Sequence, residues 1–405
     1  MIKFEVAHLF VEKYANGYLL VDFVQESEFI YFRNDGDYVE GMTLGREYVP
    51  TMLLFTNVDA FPLKEGNLFT VPMKLLIEIK NAHQNQSYAD EQTMPINLFM
   101  IISSKELIIE LFKYLKVLKG KRIFREFENE VEESWPDGTP CALNELGSEF
   151  VLEVVDVGQG STNLIYDKNT LTIFDFGVSM NYSKKMCQGI LDSLSDLFKK
   201  SQRKSLIISH WDCDHYNLLS VMDDALMGCF CCIFVPAKMI SLTAKQVVNR
   251  LRKNCSFIRT FNPMPRTKKR NIGILPVITK KNYELYVGEQ SSSINKSGLA
   301  LVLKGSSDIA ILCADHSNYQ IWDCIYPSII HSDDIKLHIV VPHHGGDCGK
   351  ISVKYLNAQA GDAAISVGKN KHKHPQQETI DKYEELNFKV KRTDWERNNI
   401  VIKMQ

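Results

Sequence analysis

An α/β fold is predicted for residues 149–405, preceded by a smaller α+β domain at 1–145. Two observations carry this. From residue 149 onward, apolar runs of about 4–7 residues recur, and each stops at a polar residue or a turn, the pattern of buried strands. The histidines share that region: of 11 in the chain, only His8 and His83 precede residue 200. Polar residues gathered at strand ends are how α/β proteins build a site on loops held by a rigid sheet.

In the first domain, Tyr18–Phe23 and Glu28–Phe32 read as strands around a short loop, and Leu98–Ile102 as a buried strand. Ser104 starts a helix with Leu107, Ile108, Leu111, Phe112 and Leu115 on one face, ended by Gly120. Glu126, Glu128, Glu130, Glu132 and Glu133, then Trp135–Pro140, form the expected linker. No chemical motif occurs here, and the sequence does not say what this domain does; a protein partner met through it is one reading. In the second domain the expected strands are Phe150–Val155, Leu171–Phe174, Ser205–Ile208, Cys229–Val235, Ile309–Cys313, Lys336–Val341 and Ala363–Val367.

Composition narrows the class. Hydrophobic residues are 45% and charged residues 24%, enough apolar surface to offset chain entropy, so overall disorder is excluded. A net charge of -2 excludes a globally basic polyanion binder. No apolar run approaches the roughly 20 residues of a membrane helix, so no membrane association is expected. With no secretory signal and ten scattered cysteines, the expectation is a cytoplasmic protein with reduced thiols.

The densest chemistry lies in Ser209-His210-Trp211-Asp212-Cys213-Asp214-His215, directly after an expected strand and before an expected helix at Tyr216–Leu226. Alternation in an extended loop sends His210, Asp212 and Asp214 to one side, with His215 on the following turn. Two carboxylates and two imidazoles held this close are costly in a buried loop unless a cation organises them. The competing reading, a solvated loop of mixed charge, conflicts with the apolar flanks Leu206–Ile208 and Leu218-Leu219.

This segment resembles the His-x-His-x-Asp-His signature of the metallo-β-lactamase superfamily, with Asp212 at the second histidine. That variant is similar to the soluble domain of ComEC-type DNA-uptake proteins. Other matches run in order: Asp156-Val157-Gly158-Gln159-Gly160-Ser161, Phe174-Asp175-Phe176-Gly177, Ala314-Asp315, Pro342-His343-His344-Gly345-Gly346, Ser366-Val367-Gly368 with His374-Pro375, and Arg392-Thr393-Asp394. No histidine occurs from 216 to 315, where the superfamily carries a further ligand; relatives of the ComEC type lack it as well.

The resemblance implies an αββα sandwich at about 150–405 and two divalent metal ions, Mn or Zn and alternatively Mg. One ion is expected at His210, Asp212 and His343 or His344, with His343 preferred. The other is expected at Asp214, His215 and a later ligand such as His374, with Asp315 bridging the two. Asp175 is expected to orient the cluster, with Asp214, His344 and His374 as the catalytic residues. Two ions at about 3.5–4 Å hold a hydroxide near neutral pH and stabilise in-line displacement at phosphorus.

Lys245–Lys281 holds 11 Lys/Arg, among them Lys268, Lys269 and Arg270, and no Asp or Glu. It is read as a phosphate-backbone surface for a nucleic-acid or nucleotide substrate, against the alternative of a solvated helix face and loop. The expected function is metal-dependent phosphodiester hydrolysis by a nuclease. The rivals are hydrolysis of a cyclic nucleotide, lactone or thioester, and a non-catalytic sensor. Gly158-Gln159-Gly160 lacks the third glycine of a dinucleotide loop. Cys229–Cys232 reads as buried thiols, and His316, His331, His338 and His372 as surface or structural residues.

Overall fold

A computed structural model describes residues 146–405, apart from 181, 238–241, 256, 268–270, 292 and 371–372, together with six earlier strands. The chain divides into two compact units: Met1–Glu130 with Asn181–Cys187 and Ile240–Arg250, and Val131–Met180 with Gln188–Met239 and Leu251–Gln405.

In the first unit, β1 (Val6–Ala15), β2 (Tyr18–Gln25), β3 (Thr51–Thr56), β4 (Leu68–Pro72), β5 (Met100–Ile102) and β6 (Lys116–Val117) form one sheet in the order β5-β3-β2-β1-β4-β6. The expected helix running to Gly120 is corrected at its end: Lys116 and Val117 pair as a strand with Thr70 and Phe69. The rest of that helix and the strand Glu28–Phe32 lie outside the described residues.

The second unit is an αββα sandwich. β7 (Phe150–Val154), β8 (Thr162–Tyr166), β9 (Thr170–Phe176), β10 (Arg203–Ile207), β11 (Cys232–Pro236) and β12 (Ile258–Phe261) belong to one sheet. β13 (Ile274–Thr279), β14 (Tyr283–Gly288), β15 (Leu299–Lys304), β16 (Asp308–Leu312), β17 (Lys336–Val340), β18 (Gln359–Ile365) and β19 (Lys389–Arg392) form the other, in sequence order. β20 (Ile400–Met404) returns to the first sheet and pairs antiparallel with β7, Met404 opposite Phe150. The pairing β9-β10-β11-β12 is parallel, as is β16-β17-β18-β19, so the strands preceding the motif loops end on common edges.

Apolar residues from both sheets interdigitate between them: Leu152, Ile165, Phe174, Ile207, Phe234 and Ile402 meet Leu285, Leu301, Leu303 and Leu312. At about 1.5–3 kcal/mol per fully buried large side chain, this layer is the main favourable term. Helices cover the outer faces. On one, α1 (Lys184–Lys200) sets Phe198 against Phe176 and Phe230, with ring centroids 6.4 and 6.0 Å apart. On the other, the π-helical turn Gln320–Ile325 and a helix at Gln377–Glu385 bring Trp322, Ile325, Ile380 and Tyr383 onto Ile311, Ile339 and Ile365. No described helix is long and apolar enough to cross a membrane.

Two expectations need correction. The helix Tyr216–Leu226 is two short turns, Leu218–Val221 and Asp224–Met227. Met222 turns extended between them, and the Asp223 side chain accepts from the Leu226 N–H to start the second. The cysteines are not all buried reduced thiols: Cys229 and Cys231 are exposed, and Cys232, buried in β11, is disulfide-bonded.

Candidate metal centre

β10 delivers the chain to the site. Its last residues are buried on both faces, so the backbone leaves the sheet at Ser209 already inside the protein. Trp211 turns away, its indole N–H donating to the Pro236 carbonyl at 2.8 Å and its ring edge-on to Tyr216. That leaves His210 and Asp212 on the opposite side. The short 3-10 turn Cys213–His215 then brings Asp214 and His215 back to the same place. Asn217 fastens this turn to the end of β9, accepting from the Val178 N–H at 2.7 Å and donating to the Val178 carbonyl at 2.9 Å. Gly177 must be glycine, because a Cβ there would strike the Asp214 carbonyl oxygen.

Asp175, fully buried at the end of β9, holds the cluster together. Its Oδ1 accepts from the Ser209 N–H at 2.7 Å. Its Oδ2 takes His215 Nδ1 at 2.7 Å, Ser209 Oγ at 2.9 Å and Ser161 Oγ at 3.2 Å. With the Ser209 hydroxyl donating to Asp175, His210 Nδ1, 3.0 Å from Ser209 Oγ, carries its proton toward that oxygen. His344 Nδ1 donates to the Ser366 carbonyl at 2.8 Å. Three histidines thus have Nδ1 anchored and Nε2 left with its lone pair.

These Nε2 atoms converge. His210 Nε2 lies 3.6 Å from Asp212 Oδ2 and 3.6 Å from Asp315 Oδ2. His215 Nε2 lies 3.5 Å from Asp315 Oδ1, and His344 Nε2 lies 3.4 Å from Asp214 Oδ2. Two groups have the compactness to hold a metal ion: His210, His215 and Asp315, and Asp214, His215 and His344. The residues fit a cation on a further observation. Nε2 of His210, His215 and His344 and Oδ1 of Asp315 are all buried with no hydrogen-bond partner, a costly arrangement for polar atoms of a native site. Two ligand atoms each about 2.1 Å from one ion at a tetrahedral angle sit about 3.4 Å apart, the spacing seen here.

The backbone is strained around this point. Asp175, Ala314, His343 and His344 have φ of 61°, 46°, 51° and 53°, a region that costs a non-glycine residue of order 1–3 kcal/mol and that clusters at functional sites. The turn at Pro342–Gly345 sends the two adjacent histidines in different directions. The sequence preference was His343 as ligand and His344 as catalytic partner. In the structure His344 joins Asp214 and His215, while His343 Nδ1 sits 2.7 Å from Asp315 Oδ2 with its side chain 31% exposed. His374 is half-buried on a separate loop, its Nδ1 donating to the His343 carbonyl at 3.0 Å and its ring 5.0 Å from that of His343. It belongs to neither ligand-sized group.

The electrostatics suit a cation. Burial raises the Asp214 carboxyl, but His344 and His215 outweigh it and bring it to about 2. Burial also works on Asp315, where His343, His215 and His210 hold it well below the usual range. For His215, burial disfavours the charged ring, yet Asp175 and Asp315 raise it well above its ordinary value. His210 shifts upward too: burial and His215 oppose protonation, and Asp212 and Asp315 favour it more. Both carboxylates are therefore ionised at neutral pH, and a cation held here would take the place of protons on the imidazoles.

Reading the sequence alone placed Ser209, Ser161 and Ser366 in its motifs without giving them a role, and it did not find Asn295. Only the fold shows that the three serines orient Asp175, His210 and His344 and that Asn295 reaches Asp315. Lys268, Lys269, Arg270 and His372 lie outside the described residues. His331 is exposed, and His316 is buried, its Nδ1 2.5 Å from the Cys313 carbonyl.

No protein-family model matches the chain, and no curated protein does either. Solved structures do. The metallo-β-lactamase-fold protein YhfI from Bacillus subtilis is 12% identical with a TM-score of 0.35, over 63% of this chain and 99% of that one. A metal-dependent hydrolase of the β-lactamase superfamily is 9% identical with a TM-score of 0.35, over 63% and 98%. Human tRNase Z, short form, is 10% identical with a TM-score of 0.34, over 64% and 99%.

Proposed function

We propose that this chain is a metal-dependent hydrolase that cleaves phosphodiester bonds, acting as a nuclease with two divalent cations. The observation that carries the reading is the convergence of three partnerless Nε2 atoms and one partnerless carboxylate oxygen in a buried cluster. His210 and Asp212 would hold cation on one side, and Asp214, His215 and His344 on the other, with Asp315 between them, 3.6 Å from His210 Nε2 and 3.5 Å from His215 Nε2. His215 Nε2 has one lone pair and serves one ion, so the two groups do not share it. Oxygen ligands are prominent in the set, which favours Mn²⁺ or Mg²⁺ relative to an all-histidine site.

When bound, the cations supply Lewis-acid polarisation of a phosphoryl oxygen and a nucleophile at neutral pH. The protein's own residues do the rest. Asp175 fixes the ring of His215 and, through Ser209, that of His210. Ser366 fixes His344. Because His374 commits Nδ1 to the His343 carbonyl, its Nε2 is the atom that would pass a proton to the departing oxygen, a role worth about 10²–10⁴-fold. The preference for a polyanionic substrate rests on the 11 Lys/Arg of 245–281.

The test is incubation of purified protein with Mn²⁺, Mg²⁺ or Zn²⁺ and a panel of DNA, RNA, cyclic nucleotides and a lactone. Cleavage of DNA or RNA is the expected result. Turnover of the lactone alone would replace the phosphodiester reading, and no turnover with any pair would leave a binding module.

A further inference from the structure

Asp315 is the carboxylate that the cluster surrounds, and its two oxygens are not equivalent. Oδ2 accepts from His343 Nδ1 at 2.7 Å and from Asn295 Nδ2 at 3.0 Å. A carboxylate oxygen offers about two lone-pair directions, so these two donors fill it. Oδ1 is buried with no hydrogen-bond partner and faces His215 Nε2 at 3.5 Å, whereas His210 Nε2 lies 3.6 Å from the filled Oδ2.

Asn295 is held in place from several sides. It lies on the single turn Ile294–Ser297, and its Oδ1 accepts from Ser293 Oγ at 3.3 Å, which directs the amide nitrogen to Asp315. Ser297 Oγ donates to the Ser293 carbonyl at 3.1 Å, and Gln320 Nε2 to the Lys296 carbonyl at 2.7 Å. At the end of the turn, Leu299 N–H donates to the Ser209 carbonyl at 2.7 Å. Gly298 permits that approach, since a Cβ there would strike the same carbonyl oxygen. The segment is therefore fastened to the loop that carries His210, and the amide reaches Asp315 from a fixed base.

We infer that Asn295 is a positioning residue of the cation site, which together with His343 occupies Asp315 Oδ2 so that Asp315 meets a cation through Oδ1 alone. This rests on the hydrolase reading and refines it: Asp315 is a one-oxygen ligand, not a two-oxygen bridge. Ser293 acts behind Asn295 by orienting its amide.

The experiment measures Mn²⁺ binding by equilibrium dialysis with elemental analysis, with the thermal melt recorded for each variant. Asn295→Leu keeps the volume and removes the donor; Asn295→Gln keeps the donor and adds a methylene. A positioning role predicts that Asn295→Leu weakens Mn²⁺ by about 10- to 100-fold with the melt retained, and that Asn295→Gln weakens it less. Lys296→Ala, an exposed neighbour on the same turn, leaves affinity unchanged. A packing role gives the reverse order, with Leu tolerated and Gln harmful, and that order overturns the inference, as does wild-type affinity in Asn295→Leu. If Asn295→Leu fails to fold, Ser293→Ala decides: a smaller loss of affinity supports the inference, and none overturns it. Asp214→Ala is measured beside them. Retention of Mn²⁺ in that variant sinks the hydrolase reading, whereas its loss with unaffected Asn295 variants sinks only this inference.

Discussion

Among the described residues of the second unit, two groups of histidine and aspartate lie in the interior, and they are arranged differently. In one, His338 on β17 stands between two carboxylates: Nε2 is 3.4 Å from Asp308 Oδ1, and Nδ1 is 3.5 Å from Asp362 Oδ2. Lys391 adds a cation at 2.9 Å from Asp362. In the other, three imidazoles turn their Nε2 atoms toward Asp212, Asp214 and Asp315. Composition and burial are similar. Around His338 the carboxylates sit at opposite nitrogens of a single ring, so no point in space is equidistant from several donors, and a lysine supplies positive charge. Around His215 the donors share a centre, and the charge facing the carboxylates comes from imidazole protons that a metal can displace. Convergence of lone pairs, not the presence of His and Asp, marks a cation site.

The comparison breaks first on metal content. Asp214→Ala is expected to strip the metal, up to two ions per chain in the wild type by elemental analysis, and to abolish turnover. His338→Ala is expected to keep the metal and to cost stability instead, about 1–3 kcal/mol by urea unfolding, because the Asp362 N–H loses its acceptor and Asp308 loses the ring 3.4 Å away. Metal loss in His338→Ala would erase the distinction.

Within the site, the adjacent histidines sharpen the contrast. His344→Ala should lose metal. His343→Ala should retain it with affinity lowered by about 10- to 100-fold, since His343 acts on Asp315 from outside. The opposite ranking in a Mn²⁺ titration would restore His343 as the ligand.

A pH experiment addresses the other group. Burial pushes Asp362 up, but His338 and Lys391 outweigh it and bring the carboxyl to about 2. The folded value lies below the unfolded value of about 3.9, so the stabilisation is complete above about pH 4 and fades as pH falls toward 2. Asp362→Asn should be less stable than wild type at neutral pH and should lose less on acidification through that window. Parallel stability curves for the two proteins would dismiss the assignment.

The smallest effect is expected from the basic stretch. Replacing Lys268, Lys269 and Arg270 by alanine should weaken nucleic-acid binding and reduce its salt slope by up to about three, with metal content unchanged. An unaltered slope would remove the argument for a polyanionic substrate.

Much of the site was legible because its residues come in local runs. His210 to His215 and Pro342 to Gly346 each place several donors within one loop, and Asp175 follows an apolar strand. The division of labour between His343 and His344 was not legible, because it depends on a positive φ at both residues, which sequence spacing does not reveal. Asn295 was invisible for a different reason: it meets Asp315 across 20 residues, through a turn with no pattern of its own. The sandwich showed a similar split. Fully buried strands such as β9 and β16 stand out as apolar runs. β13 carries Pro276 and exposes alternate stretches, and β20 finds its partner only in β7, some 250 residues earlier, so neither announces itself locally.

Trp211 gives the cluster an optical consequence. Its indole is fully buried, fixed to Pro236, and lies in the chain between His210 and Asp212. Of the chain's four tryptophans, Trp322 is buried in the helix-covered layer beyond the second sheet, and Trp395 is 61% exposed. A paramagnetic ion such as Mn²⁺ at the cluster would quench the blue-shifted fluorescence of Trp211 by proximity and leave the red-shifted emission of Trp395 in place. The protein thus carries its own spectroscopic reporter, and occupancy can be followed in real time without a label or a substrate.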